Sequence, residues 1–547
     1  MRSFLLVCLV ACGAVATPRS NAPADLVLEG GDVRTMDPAH PHATAVAVRG
    51  DKIVAVGDDL HAWIGRGTRV VELHGATVTP GLVDAHCHLY ELGSNLEAID
   101  LRGLDSVRRV ADVVADRARA RRDPRWLVGR GWDQNLWPGQ QFPDRSSIDA
   151  VVADRPVVLE RVDGHAIWVN SAALQVAGIT AQTLDPPGGR IVRDGHGEPT
   201  GVLIDNATDL VWSKLPATRE ATRQARILAA AKIAVSMGLT GIHEMGIERE
   251  TARAYEALVD RHALPLRVYA FVLGDPAHPD AIGKPWAAHG RFEMRGVKFF
   301  ADGALGSRGA RLYEPYDDDP ENTGLWVTDP GALARAVGAA FDRGWQVAIH
   351  AIGDAAIGSV LDAYQAAERA HPGDTRPRVE HLQVLAVKDL PRVVATHAIA
   401  SMQPTHATSD MPWAEARVGK QRLVGAYAWR TMLDHHVPLA FGSDFPVEQV
   451  NPLLGIYAAV TRQDAAGNPP GGWYPAQRMT LDEAIAAFTR GAAYAGFAEA
   501  SRGTLAVGND ADLTVFDRPL AADRSLLETR VQMTVVGGEI VYHFDKK

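Results

Sequence analysis

The chain is 547 residues long, 46% hydrophobic and 22% charged, proportions that exclude disordered and fibrous classes. At roughly 150 residues per domain the length suggests three or four units, although a single α/β barrel with insertions can exceed about 400 residues. A formal charge of −10 argues against a nucleic-acid partner, and three cysteines are too few for a disulfide scaffold or a cysteine-based zinc module.

Arg2 precedes an apolar run over residues 4–10. The run is shorter than the roughly 20 residues of a membrane-spanning helix and is laid out like a secretory signal peptide. Two cleavage sites compete. Leu9-Val10-Ala11-Cys12 resembles the bacterial lipobox, in which Cys12 is lipidated and becomes the first mature residue. Ala14-Val15-Ala16 is an A-x-A site before Thr17. The lipoprotein form is favoured, because Cys12 has no other evident use. Either form is exported, as a periplasmic protein or one anchored to the membrane only by a lipid on Cys12. The alternative is a ragged apolar start to a cytosolic enzyme.

Short apolar runs separated by Gly and Asp turns follow at Leu26, Val46 and Ile53, and again near the C-terminus at Leu513, Val535 and Ile540. They predict strands and hairpins. Eight strand-like runs lie between, at residues 81–88, 239–244, 266–273, 296–301, 346–351, 377–383, 399–404 and 438–443. Helical patterns separate most of them. Asp329-Pro330 opens one helix and Gly344 closes it. Thr480 and Glu483 form a capping box for another. Alternating strands and helices predict parallel pairing, and eight such units close most naturally into a TIM-type (β/α)8 barrel. An open doubly wound sheet is disfavoured, since no Gly-rich phosphate fingerprint follows the first strand.

The resulting division is a signal peptide and tether over 1–23, and a small β-sandwich domain built from 24–80 and 501–547. The barrel takes 81–89 and 238–500. Residues 90–237, far too long for a βα connection, are an inserted lid over the active site.

Chemistry concentrates at strand ends. In Val83-Asp84-Ala85-His86-Cys87-His88, residues two apart face the same side of a strand. His86 and His88 therefore point together and make half of a divalent-metal site. His350, His381 and Asp444 each end another strand, where a barrel keeps its active site. Lys298 sits on an apolar strand, where an unpaired ammonium is costly to bury and loses its proton easily. A neutral lysine can capture carbon dioxide as a metal-bridging carbamate; the alternative is a lysine paired with Asp302 or another acid. Trp132, Trp137 and Trp168 form the core of the inserted segment or receive an apolar or aryl group, and His165 binds substrate or a developing oxyanion. His40, His42, His61, His435 and His436 read as surface groups. His243 and His406 face the site without being ligands.

The ordered set His86-x-His88, Lys298, His350, His381 and Asp444 resembles the binuclear type of the amidohydrolase superfamily. Gly164-His-Ala-Ile-Trp-Val-Asn-Ser-Ala-Ala-Leu174, Asp302-Gly-Ala-Leu-Gly-Ser-Arg308, Arg378-Val-Glu-His-Leu-Gln383 and Gly442-Ser-Asp-Phe-Pro-Val447 resemble its amidohydrolase-3 group, which includes N-substituted formamide deformylases. The resemblance implies two divalent metal ions, read as zinc, bridged by carboxylated Lys298. His86, His88 and Asp444 would hold one ion, and His350 and His381 the other. Asp444 would act as general base and then acid, Glu380 would play only a supporting part, and Asp302 and Arg308 would support the ligands. The expected reaction is hydrolysis of a C–N bond in a non-peptide, N-substituted amide such as an N-formyl or N-acyl amide. The expected substrate is a small molecule with an apolar or aryl group. Two other readings are a mononuclear deaminase of the same fold and an exported metal- or ligand-binding lipoprotein without turnover. The deaminase type carries a Glu shortly after the fifth-strand histidine, where this chain has Ala351-Ile-Gly-Asp354. The binding protein would need no general base.

Overall fold

The computed structural model describes residues 22–120 and 126–544, without the side chains of 287–289. The segment with Cys8 and Cys12, expected to be a signal peptide, lies outside the described residues, among which no helix is long and apolar enough to cross a membrane.

Eight parallel strands form the centre: β1 (Leu82–Cys87), β2 (Leu239–Ile247), β3 (Arg267–Leu273), β4 (Phe292–Phe300), β5 (Gln346–Ala351), β6 (Arg378–His381), β7 (Ile399–Met402) and β8 (Leu439–Phe441). Each pairs with its neighbour in sequence, so there is no switch point and the doubly wound alternative is excluded. The ring closes beyond β8, where the Asp444 N–H donates to the His86 carbonyl at 2.8 Å and the His88 N–H to the Phe445 carbonyl at 2.8 Å. Strands enclosed on both faces read as nearly continuous apolar runs, and every residue of β5 is buried. Helices cover the outside. The helix Pro330–Asp342 starts on the Asp329 side chain, which accepts from the Ala332 N–H. The capping box of Thr480 and Glu483 is formed at the start of Leu481–Ala486.

Two further sheets flank the barrel's entrance strand. One is built from Leu26–Glu29, Ala45–Arg49, Lys52–Gly57 and Arg69–Glu72. The other joins Thr77–Pro80 and Asp32–Arg34 to the C-terminal strands Leu513–Phe516, Val531–Val536 and Glu539–His543. Leu28, Val46, Val78, Leu513 and Val535 fill the space between them.

Between β1 and β2 lies a six-stranded mixed sheet whose central strands are Pro199–Asp205, Ala166–Val169, Val157–Arg161 and Leu127–Trp132. Trp132, Trp137 and Trp168 are buried in its core, with ring centroids 5.9–6.3 Å apart. None of the three lines either of the two cavities at the barrel mouth, which agrees with a core role. Trp168→Ala is expected to destabilise this unit by about 3–5 kcal/mol, measured as a lowered denaturant midpoint.

Candidate active site

Strand β1 places Asp84, His86 and His88 on one side. The His86 Nδ1–H donates to Glu380 Oε2 at 2.5 Å, and the His88 Nδ1–H to the Met245 carbonyl at 3.1 Å. These bonds fix the tautomers and leave both Nε2 lone pairs facing the cavity. Asp444 meets them there. Its Oδ1 is 3.4 Å from His86 Nε2 and 3.1 Å from His88 Nε2.

Asp444 reaches this point because the chain turns sharply after β8. Asp84 clamps the turn, accepting from the Ser443 Oγ at 2.6 Å and the Ser443 N–H at 3.0 Å. Gly442 is required here: a Cβ would sit 2.5 Å from the His86 nitrogen and 2.6 Å from Asp84 Oδ1. Asp444 itself has φ +62°.

His350 donates through Nε2 to the Gly303 carbonyl at 3.3 Å, which leaves Nδ1 as its acceptor. His381 donates through Nδ1 to Gln403 Oε1 at 2.8 Å. Alternation along β6 would put Glu380 and His381 on opposite sides. The positive φ of His381 (+72°) and Leu382 (+43°) ends the strand, and both side chains turn inward. His381 packs 4.7 Å from the His350 ring and 4.8 Å from the His86 ring, centroid to centroid.

His406, expected to face the site, does so. Its Nε2 is 3.6 Å from Asp444 Oδ2. Donor atoms of His86, His88 and Asp444, and separately of His381, His406 and Asp444, lie within 4.8 Å of one another. His243 lies deeper in the barrel and accepts from Arg378 at 2.8 Å.

Lys298 opens into the same cavity as His86, His88, His350, His381 and Asp444. It is 1% exposed, and its ammonium lies over the Phe300 ring at 4.7 Å. The alternative pairing with Asp302 is not formed. That carboxylate accepts instead from the backbone N–H groups of Ile352, Gly353 and Arg311. Asp302 stands beside the site, with its Oδ1 3.6 Å from His350 Nε2. Arg308 does not: it pairs with Asp318 at 3.0 Å, away from the ligands.

Charge states suit metal binding, which needs deprotonated donors. Burial and neighbouring positive groups hold His350 and His381 well below the usual imidazole range. Burial lowers Lys298. Burial opposes ionisation of Asp444, but positive charge at His86 and His88 outweighs it and holds the carboxyl well below its usual range. Against burial, Glu91 and Asp444 raise His88; a cation at this point would take over the part of those protons. The same contest at Glu380 is won by Arg378 and His86. His86 Nε2, His406 Nε2 and Asp444 Oδ1 are buried without a hydrogen-bond partner. Facing acceptors such as His86 Nε2 and Asp444 Oδ1 are costly to leave orphaned unless a cation completes them, and imidazole with carboxylate suits zinc and similar ions. The residues present therefore fit a divalent metal.

Two chambers meet at this point. The outer one, about 1050 Å³, is lined by Arg130, Glu160, Leu210, Leu273 and Phe300. The inner one, about 350 Å³, is lined by Asp133, Arg161, Asp410, Trp413 and Glu448. His165, His350, His381 and Asp444 border both. His165 comes from the inserted sheet, and its Nδ1–H donates to Asp205 Oδ1 at 2.7 Å. Burial disfavours its imidazolium, but the hydrogen bond and charge of Asp205 prevail and hold it at about 8.

The amidohydrolase family model matches residues 69–542, which takes in every residue of the site. The chain belongs to the amidohydrolase family. Among its relatives, the YtcJ protein of Bacillus subtilis is 37% identical over 488 residues, covering 87% of this chain and 90% of that protein. The N-substituted formamide deformylase of Arthrobacter pascens is 28% identical over 542 residues, covering 95% of this chain and 98% of the relative. The crystal structure of a metal-dependent hydrolase from Pyrococcus furiosus has a TM-score of 0.70 at 28% identity, covering 90% of this chain and 99% of that one.

Sequence reasoning did not single out three residues on which this amidohydrolase site depends. Asp84 clamps the Asp444 turn, Gln403 orients His381, and Glu244 accepts from the N–H groups of Leu89 and Tyr90 just after His88. Only Asp84 left a signal, since it lies two residues before His86 on the same face of β1. Glu380, expected to play a supporting part, orients His86 and is itself paired with Arg378 at 2.7 Å. Glu380→Gln is expected to lower metal affinity by about 10–100-fold, measured as metal retained on dialysis against graded chelator. An unchanged affinity would contradict this role.

Proposed function

We propose that the protein is a metal-dependent amidohydrolase acting on a C–N bond of a non-peptide, N-substituted amide such as an N-formyl or N-acyl amide. The observation that carries this reading is the convergence of unpartnered His86 Nε2 and Asp444 Oδ1 in one cavity with buried Lys298, His350 and His381. Two zinc ions are proposed: His86, His88 and Asp444 would hold one and His350 and His381 the other, and Lys298, once carboxylated, would serve as a ligand common to both. When bound, such ions lower the pKa of water to about 7 and polarise a carbonyl oxygen.

The remaining chemistry belongs to the chain. Asp444, held as a carboxylate between His86 and His88, accepts a proton from the attacking water. It then returns that proton to the leaving nitrogen as the C–N bond breaks. His165, facing the cavity from the inserted sheet, donates to the carbonyl oxygen as negative charge develops on it. Leu210, Leu273 and Phe300 of the outer chamber offer a surface to an apolar or aryl substituent. The residue four after the fifth-strand histidine, Asp354, is taken up by the Tyr313 N–H at 2.8 Å. It is not placed to act as the extra acid of a mononuclear deaminase.

A hydrolysis screen of N-formyl, N-acyl and cyclic amides on metal-replete protein tests the reading, and no turnover on any of them would overturn it. Lys298→Ala is expected to lose most bound metal and activity, with partial recovery on adding short carboxylic acids. Unchanged metal content in that variant would remove the bridging role. Asp444→Asn is expected to lower kcat by about 10²–10⁴-fold while the circular dichroism spectrum persists. A near-normal rate would remove Asp444 as the proton carrier.

A further inference from the structure

Asp205 is built unlike an ordinary surface partner. It ends the strand Pro199–Asp205 beside His165, and the two residues are joined twice. The Asp205 N–H donates to the His165 carbonyl at 2.9 Å, and the His165 ring donates to Asp205 Oδ1 at 2.7 Å. The Asp205 backbone lies at φ +49°, ψ −127°, a sparsely populated conformation that persists only where the surroundings impose it. Its side chain is 2% exposed, and Oδ2 is buried without a hydrogen-bond partner.

The barrel loop that follows β4 is shaped around this carboxylate. A Cβ on Gly303 would lie 2.5 Å from Asp205 Oδ2, and one on Gly309 would lie 2.9 Å from it. The next residue, Asn206, donates through its side chain to the Val327 carbonyl at 3.1 Å. A strained turn of the inserted sheet is thus seated against the barrel loop where His165 comes within 5.0 Å of the His350 ring, centroid to centroid.

We propose that Asp205 is a positioning residue: its strained turn, seated against Gly303 and Gly309, holds His165 in one orientation with Nε2 presented to the reacting centre. The strain and the unpartnered oxygen are then features of a device that carries one side chain of the inserted unit into a site otherwise built by the barrel. The kinetic part of this inference rests on the proposed hydrolase reading; the geometric part does not.

The test uses full-length, metal-replete protein labelled with ¹⁵N-histidine. His165→Gln assigns the ring N–H resonance, which a carboxylate partner shifts strongly downfield. Asp205→Ala is expected to abolish that resonance. Asp205→Asn, which keeps an acceptor, is expected to move it upfield, and Gly309→Ala to shift it by displacing the carboxylate without touching His165. On the best amide from the screen, Asp205→Ala is expected to lower kcat by about 10²-fold, as for loss of one oxyanion donor. KM should change little, metal content should stay constant, and Asp205→Asn should retain part of the rate. A resonance unmoved in Asp205→Ala, or a kcat unchanged in the folded variant, would overturn the proposal. An unmoved resonance in Gly309→Ala would overturn the fit of loop to carboxylate. If no amide is turned over, the hydrolase reading fails and the resonance still decides this inference.

Discussion

The Arg378–Glu380 pair is the interaction on which the centre of the molecule depends. Both side chains are fully buried, 2.7 Å apart, and neither charge survives there alone: breaking a buried pair costs about 3–5 kcal/mol. Their remaining hydrogen bonds are all made to the barrel. Arg378 donates to the Ala85 carbonyl at 2.6 Å, to Ser401 at 2.9 Å and to His243 at 2.8 Å. Glu380 accepts from His86. One charge cluster thus ties β1, β2, β6 and β7 and sets the tautomer of His86. Asp84 does the corresponding work between β1 and β8, so the strands that close the ring are also those that aim Asp444.

The barrel and the inserted sheet divide the site between them. The barrel supplies the converging nitrogens and carboxylate on rigid strand ends, where small displacements are resisted by packing on both faces. The inserted sheet supplies His165 and the walls of the chambers, through Arg130, Glu160, Asp163 and Arg161. Its own stability comes from a separate tryptophan core, distinct from the packing that holds the ligands beneath. In the proposed reaction this separates the groups that assemble the reacting centre from those that choose what reaches it.

Much of this was legible in the sequence, for reasons that are physical. Strands buried on both faces read as apolar runs, so all eight barrel strands stood out. A His, Lys or Asp at the end of such a run is conspicuous because burial there is costly. The structure brings His86, His88, Lys298, His350, His381 and Asp444 into one cavity. What escaped follows from departures from regular geometry. Strand alternation sets Glu380 apart from His381, and only the positive φ at His381 shows how both face inward. The tryptophans of the inserted segment were ambiguous between core and pocket, because spacing does not say which face of a sheet meets a cavity. Arg308 follows the right strand but leaves it in a loop whose direction only tertiary packing determines.

The most direct measurement of the central claim is the metal content per chain of purified protein, determined by elemental mass spectrometry after removal of loosely bound ions. The proposed pair of sites predicts two equivalents of a divalent metal, zinc foremost. One equivalent would contradict the bridged arrangement around Lys298, and none would contradict the metal-dependent reaction itself.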